Sequence, residues 1–114
     1  MMKPPPNRII VKLGTRVLTS DDGRIARTRL TSLIAEMAEW AARGCEILLV
    51  SSGAVGLGRD TLGLAPGPSD LATRQACAAI GQGRLMGIYE QKFAHHGLVC
   101  AQVLLTQSDF DHEQ

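Results

Sequence analysis

Two apolar segments, each ending in a glycine turn, constrain the fold of this chain more than any other feature. They cover residues 9–15 and 47–54, and both are rich in isoleucine, leucine and valine until the turn begins. Between them, apolar residues recur at helical spacing over residues 27–43, and Gly44 follows as a helix stop. A strand, a helix and a strand in this order predict a right-handed βαβ unit with parallel strands. The carboxyl ends of such strands meet at one edge of the sheet, where open parallel sheets bind their ligands.

The rest of the chain predicts further helices and strands around the same sheet. We expect strands over residues 8–13, 46–50 and 98–105, and the second of these is too uniformly apolar for a half-exposed antiparallel strand. The predicted helices cover residues 27–43, 54–61 and 70–96, with a further one beginning at Thr106 or Ser108. The predicted fold class is therefore α/β, an open parallel sheet with helices on both faces. No repeat or linker divides residues 1–114.

Composition excludes several classes of function. The 114 residues suffice for one globular domain, and a net charge of +1 gives no electrostatic reason to bind nucleic acid or an anionic membrane. An aromatic content of 4% also argues against a base-stacking surface. No apolar stretch approaches the roughly 20 residues of a membrane span, and residues 1–6 lack the apolar core of a signal peptide. The expected location is the cytoplasm.

Two further features point to structure rather than to chemistry. The cysteines Cys45, Cys77 and Cys100 are odd in number and match no zinc spacing, so we expect reduced thiols and no metal site. Residues 81–84 (Gly-Gln-Gly-Arg) lie within a helical pattern with no strand before them, unlike a phosphate-binding loop. Their glycines favour close helix packing, either within the chain or against a second subunit.

Lys12 is the first candidate for chemistry, because it lies inside an apolar strand just before Gly14-Thr15. A buried ammonium without a partner is costly, so its head is expected to reach the open end of the sheet. There it could stabilise a transferring phosphoryl group, and Gly14 would let backbone N–H groups approach a phosphate closely. The alternative is a strand-end lysine that extends to water with no functional role.

The second candidate is the turn formed by Ser51, Ser52, Gly53 and Ala54. A strand that runs through a Ser-Gly turn into a helix presents hydroxyls and free N–H groups at the positive helix end, where a carboxylate or phosphate binds. An ordinary helix N-cap is the alternative. The turn is not a serine-hydrolase elbow, since the Gly-x-Ser-x-Gly pattern is absent around Ser52.

These segments resemble the glutamate 5-kinase family of the amino-acid kinase superfamily. The motifs that carry the resemblance occur in the family's order, at residues 11–15, 50–56, 79–86 and 102–106. The first two are shared by the wider superfamily, and the Gly-Gln-Gly-Arg-Leu-Met helix narrows the match to glutamate kinases. The similarity covers residues 9–110, nearly the whole chain.

The resemblance implies an amino-acid kinase-like αβα sandwich that transfers phosphate from ATP, with Mg²⁺, to the γ-carboxylate of L-glutamate. This is the first step of proline biosynthesis. Lys12 corresponds to the family's phosphate-contacting lysine, and Gly14 and Thr15 to the adjoining phosphate turn. Ser52 corresponds to the serine that holds glutamate, with Gly53 and Ala54 supplying nearby backbone groups. A homo-oligomer and feedback inhibition by proline are also implied.

The resemblance further implies that residues 1–114 form only the N-terminal, substrate-binding part of the kinase domain. The nucleotide-binding half and any C-terminal domain would be absent, and the isolated chain is expected to be inactive. Two alternatives stay open at this point. The chain could belong to another amino-acid kinase, or it could be a non-catalytic fragment that binds glutamate or proline or contacts other subunits.

Overall fold

A computed structural model describes residues 7–65 and 67–102, and their element order is β-α-α-β-α-α. The elements are β1 (Arg8–Leu13), α1 (Thr15–Leu18), α2 (Arg27–Ala42), β2 (Glu46–Ser51), α3 (Ala54–Leu62) and α4 (Leu71–Ala94). Five of them lie where the sequence predicts an element, with bounds within two residues. The short helix α1 was not predicted. None of the described helices combines the length and apolar character needed to cross a membrane.

The two strands pair in parallel, as the βαβ pattern predicts. Their register places Ile9 opposite Ile47 and Leu13 opposite Ser51. The helix α2 connects them and ends just before Gly44, whose φ of +90° is a backbone conformation that favours glycine. Parallel pairing brings the turns after β1 and β2 to the same edge of the sheet.

One hydrophobic core lies against a single face of this sheet. Its buried residues come from β1, α1, the segment before α2, and α2, α3 and α4: Leu13, Leu18, Ile25, Leu30, Ile34, Met37, Leu57, Leu85, Ile88, Tyr89 and Phe93. The inward strand residues Val11, Ile47 and Leu49 pack against it. On the opposite face Ile10, Leu48 and Val50 are 66%, 50% and 46% exposed. The described residues thus cover one face of the sheet, whereas the sequence predicts helices on both.

Helices α3 and α4 pack so closely that glycine is required where they cross. A Cβ atom at Gly58 would overlap the backbone of Cys77, and one at Gly81 would overlap the carbonyl oxygen of Ala54. Asp70 caps α4, because its Oδ1 accepts a 2.7 Å hydrogen bond from the backbone N–H of Thr73. Hydrogen bonding to Thr73 lowers the pKa of the Asp70 carboxyl below its usual value.

The predicted third strand is not found in residues 98–102, which form no strand. These residues still show the alternation of a strand, since Leu98 and Cys100 pack against the core while Val99 is 99% exposed. A strand also needs a hydrogen-bonded neighbour, which the apolar pattern alone does not supply. The remainder of the predicted strand and the helix expected at Thr106 or Ser108 lie outside the described residues.

Candidate active site

The turns after β1 and β2 lie side by side and form the candidate site. The backbone N–H of Ser52 donates a 3.1 Å hydrogen bond to the carbonyl oxygen of Leu13. The Thr15 and Ser52 hydroxyls are 3.3 Å apart and share a hydrogen bond. Both residues are exposed. We call residues 14–15 and 51–54 the turn pair. The two turns lie in contact, as expected for the carboxyl ends of neighbouring parallel strands.

Gly53 provides the left-handed backbone conformation of the turn that links β2 to α3. Its φ is +97°, in the left-handed region, and it is the N-cap of α3. A Cβ atom there would lie 3.4 Å from Leu18 Cδ1 and 4.0 Å from Thr15 Cα. Glycine is therefore needed here mainly for the backbone conformation.

Gly14 differs, because the described structure gives no conformational or packing reason for glycine at this position. Its φ of −82° and ψ of 170° are extended values that any residue adopts. A Cβ atom at Gly14 would meet no described atom within 4 Å. The backbone beside Gly14 is thus open to a close approach from outside the described residues.

The amino end of α3 supplies backbone donors to the turn pair. This helix has nine residues, and no side chain caps its N-terminus among the residues described. Its first N–H group, that of Ala54, has no partner within the helix, because the first turn of any helix leaves its N–H groups unpaired. Such a helix end attracts carboxylate and phosphate groups.

Lys12 lies at the end of β1 on the exposed face of the sheet. It is opposite Val50 in the strand register and two residues before Gly14. Its side chain is exposed, and its ammonium has no hydrogen-bond or ion-pair partner within residues 7–65 and 67–102. Because the Lys12 ammonium is not buried in the described structure, no free-energy cost of burying its charge arises.

Tyr89 of α4 supports the turn pair from the core side, a contact that the sequence analysis did not predict. Its hydroxyl is 2.7 Å from the Ser51 hydroxyl, which donates a 3.2 Å hydrogen bond to the carbonyl oxygen of Ser52. The Tyr89 side chain is buried, and this burial raises the pKa of its hydroxyl above the usual 10.0. The helical spacing of Gly81, Leu85 and Tyr89 indicates one shared face of α4, but not what that face contacts.

Arg29 stabilises the first turn from the other side and was also not singled out from the sequence. Its guanidinium donates hydrogen bonds of 3.1 and 3.0 Å to the carbonyl oxygens of Arg16 and Val17. These carbonyl groups lie in α1, a four-residue helix that is too short to satisfy them internally. Arg29 thus fixes the helix that follows Gly14.

Within the Gly-Gln-Gly-Arg segment, Gly81 has the close-packing role that the sequence indicates, whereas Gly83 is exposed and a Cβ atom there would meet no described atom within 4 Å. Gly81 contacts Ala54 at the start of α3. Arg84 Nη1 lies 2.9 Å from Asp60 Oδ2 and 3.0 Å from Thr61 Oγ1, both on α3. This segment therefore holds α3 in place, and its arginine, Arg84, is bonded to side chains of α3.

The described residues do not contain the ligands of a metal site. No group of three or more His, Cys, Asp or Glu side chains comes together within residues 7–65 and 67–102. Cys45, Cys77 and Cys100 are all free thiols. The hydroxyls and N–H groups of the turn pair suit an anion better than a cation.

Three curated relatives resemble this chain over about nine tenths of its length. Glutamate 5-kinase of Myxococcus xanthus strain DK1622 is 49% identical over 102 residues, 90% of this chain and 27% of that protein. Glutamate 5-kinase of Anaeromyxobacter dehalogenans strain 2CP-C is 50% identical, again over 90% of this chain and 27% of the relative. Glutamate 5-kinase of Symbiobacterium thermophilum is 45% identical over 91% of this chain and 40% of the relative.

The chain thus spans between 27% and 40% of the length of these relatives. The family model for the amino acid kinase family matches residues 7–114, and so includes both turns and every described element. An α/β fold with two parallel strands and adjacent turns agrees with that match. This chain belongs to the amino acid kinase family.

Proposed function

We propose that this chain is the glutamate-binding part of an ATP-dependent glutamate 5-kinase. The observation that carries the proposal is the 3.3 Å contact between the Thr15 and Ser52 hydroxyls, which brings the two turns together at one edge of the sheet. Relatives named glutamate 5-kinase, 45–50% identical to this chain, support glutamate as the substrate. The Thr15 turn, with Lys12 and Gly14, would contact the transferring phosphate. The Ser52 turn, with Gly53 and Ala54, would hold the glutamate substrate.

In the proposed reaction, a γ-carboxylate oxygen of glutamate attacks the γ-phosphorus of ATP. The new oxygen–phosphorus bond forms as the bond to the β,γ-bridging oxygen breaks, and ADP leaves with that electron pair. The two reacting groups are both anionic, so they repel each other. The ammonium of Lys12 and the N–H groups at the start of α3 would offset this repulsion and stabilise the charge of the transferring phosphoryl oxygens.

Mg²⁺, which the resemblance implies, has no ligand cluster within the described residues. We assign no step to it and propose that its ligands come from elsewhere in the protein or from the nucleotide. We place the reaction at the first step of proline biosynthesis, in the cytoplasm. A homo-oligomer and feedback inhibition by proline are parts of the same proposal.

The test is the substitution Lys12→Met in the native protein that contains these 114 residues. Loss of a charge that stabilises the transition state is expected to lower kcat by about 10²- to 10³-fold. Lys92→Met is the matched control, since Lys92 lies on α4 and donates a hydrogen bond to Thr31, away from the turn pair. ADP release in the presence of glutamate measures both variants. Wild-type turnover in Lys12→Met would remove Lys12 from the mechanism.

The same assay separates the proposal from its alternatives. Turnover with another small carboxylate, carbamate or phosphate, but none with glutamate, would identify a different amino-acid kinase. If no acceptor supports turnover, calorimetry with glutamate and with proline distinguishes a ligand-binding fragment from an interaction module. Heat of binding with neither ligand would leave only the interaction role.

A further inference from the structure

We infer that Tyr89 is a positioning residue for the substrate-binding turn and acts through the hydroxyl of Ser51. The inference rests on the proposed function only in assigning substrate to that turn. Tyr89 is on α4 and is 2% exposed, so it lies beneath the turn pair and not within it. Its effect must therefore pass through a neighbour that does reach the turn.

The direction of the hydrogen bonds follows from a count of protons. The Ser51 hydroxyl has one proton, and it donates that proton to the carbonyl oxygen of Ser52 at 3.2 Å. The 2.7 Å contact between Ser51 and Tyr89 can then form at the same time only if Tyr89 donates. Burial keeps the Tyr89 hydroxyl protonated, because it raises its pKa above 10.0. The relay thus runs from Tyr89 to Ser51 to the Ser52 carbonyl group.

Fixing this carbonyl group also fixes the next N–H group. The peptide bond between Ser52 and Gly53 is planar and trans, since the described chain has no cis peptide bond. Its N–H group therefore points opposite to its C=O group. When the relay holds the Ser52 carbonyl toward Ser51, the Gly53 N–H points away from Ser51. Tyr89 in this way orients a backbone donor of the turn that we assign to the substrate.

The same helix fixes the turn at a second point. Gly81, two helical turns before Tyr89, contacts the carbonyl oxygen of Ala54. The segment from Ser51 to Ala54 is therefore held at both ends by α4. A side chain that only filled the core would need no hydroxyl, whereas this arrangement uses the hydroxyl of Tyr89 specifically.

Tyr89→Phe tests the relay, because it removes the hydroxyl and keeps the aromatic ring in the core. In the native protein we expect KM for glutamate to rise about three- to tenfold, the loss of one hydrogen bond, with little change in kcat. Ser51→Ala should give a similar rise, and Ser51→Thr, which keeps a hydroxyl, should restore the wild-type KM. Adding Tyr89→Phe to Ser51→Ala should have no further effect. Thr31→Val, which breaks a hydrogen bond between α2 and α4 elsewhere, is the control.

A second measurement does not depend on activity. The amide resonance of Gly53 in the 114-residue chain should shift in Tyr89→Phe and stay in place in Thr31→Val. A wild-type KM in Tyr89→Phe, or effects of Tyr89→Phe and Ser51→Ala that simply add, would overturn the relay while leaving the proposed function intact. If the wild-type protein does not phosphorylate glutamate, the proposed function fails, and the Gly53 resonance alone then decides whether the relay exists.

Discussion

At the scale of single residues, the two glycines of the turn pair have different reasons to be glycine. Gly53 needs its left-handed backbone, with φ at +97°. Gly14 has an extended backbone, and no described atom would touch a side chain there. Because the described fold does not require glycine at position 14, we attribute it to the close approach of a ligand. The substitutions Gly14→Ala and Gly53→Ala form a matched pair that separates the two reasons.

We expect Gly53→Ala to lower the free energy of unfolding by about 1–2 kcal/mol, the usual cost of a left-handed residue with a Cβ atom. Gly14→Ala should leave stability unchanged or raise it by up to about 1 kcal/mol, because it restricts the unfolded chain. In the native protein it should still lower kcat/KM for ATP by at least about tenfold, since the methyl group displaces the phosphate. Urea unfolding and steady-state kinetics measure the two effects. Full activity in Gly14→Ala would show that no ligand approaches this glycine.

At the scale of elements, α4 positions the site although it contributes no residue to the turn pair. It contacts Ala54 through Gly81 and Ser51 through Tyr89, and it pairs Arg84 with Asp60 of α3. The glycines of this helix are not equivalent. Gly81 is buried against α3, whereas a Cβ atom at Gly83 would meet no described atom within 4 Å.

We expect Gly81→Ala and Gly83→Ala to change stability in opposite directions. Gly83→Ala should raise the free energy of unfolding by about 0.5–1 kcal/mol, because alanine is the better helix former. Gly81→Ala should lower it by about 1–3 kcal/mol or more, since the added methyl group forces α3 and α4 apart. Thermal or urea unfolding of the 114-residue chain measures both. Equal effects of the two substitutions would contradict the close contact at Gly81.

The sequence predicts those helices and strands whose own residues show a clear apolar pattern or stop signal. The apolar runs of β1 and β2, the helical spacing of α2 and the stop at Gly44 are of this kind. The helix α1 could not be predicted, because its four residues show no period and Arg29, 12 and 13 residues away, satisfies its carbonyl groups. The Tyr89–Ser51 contact joins residues 38 apart and depends on how α4 packs. For Lys12, too, the sequence predicts a place in the strand, but it does not predict which group the ammonium contacts.

At the scale of the whole molecule, we propose that this chain supplies one part of the kinase active site. It spans 27–40% of the length of the three curated relatives that it resembles, and one face of its sheet is exposed in the described residues. The turn pair offers hydroxyls and N–H groups, and Lys12 lies two residues before Gly14; groups of this kind commonly bind anions. Within residues 7–65 and 67–102 there is no cluster that could hold a metal ion beside a nucleotide.

We therefore expect the isolated 114-residue chain to have no measurable kinase activity, while the native protein that contains it phosphorylates glutamate. Binding a carboxylate needs only a few donors, but phosphoryl transfer requires the nucleotide, its metal ion and the acceptor to be held in line. A coupled assay of ADP release with glutamate, run on both proteins at equal concentration, makes the comparison. Lys12→Met in the isolated chain is the control for a contaminating kinase. Turnover by the isolated chain that Lys12→Met abolishes would show that these residues alone complete the active site.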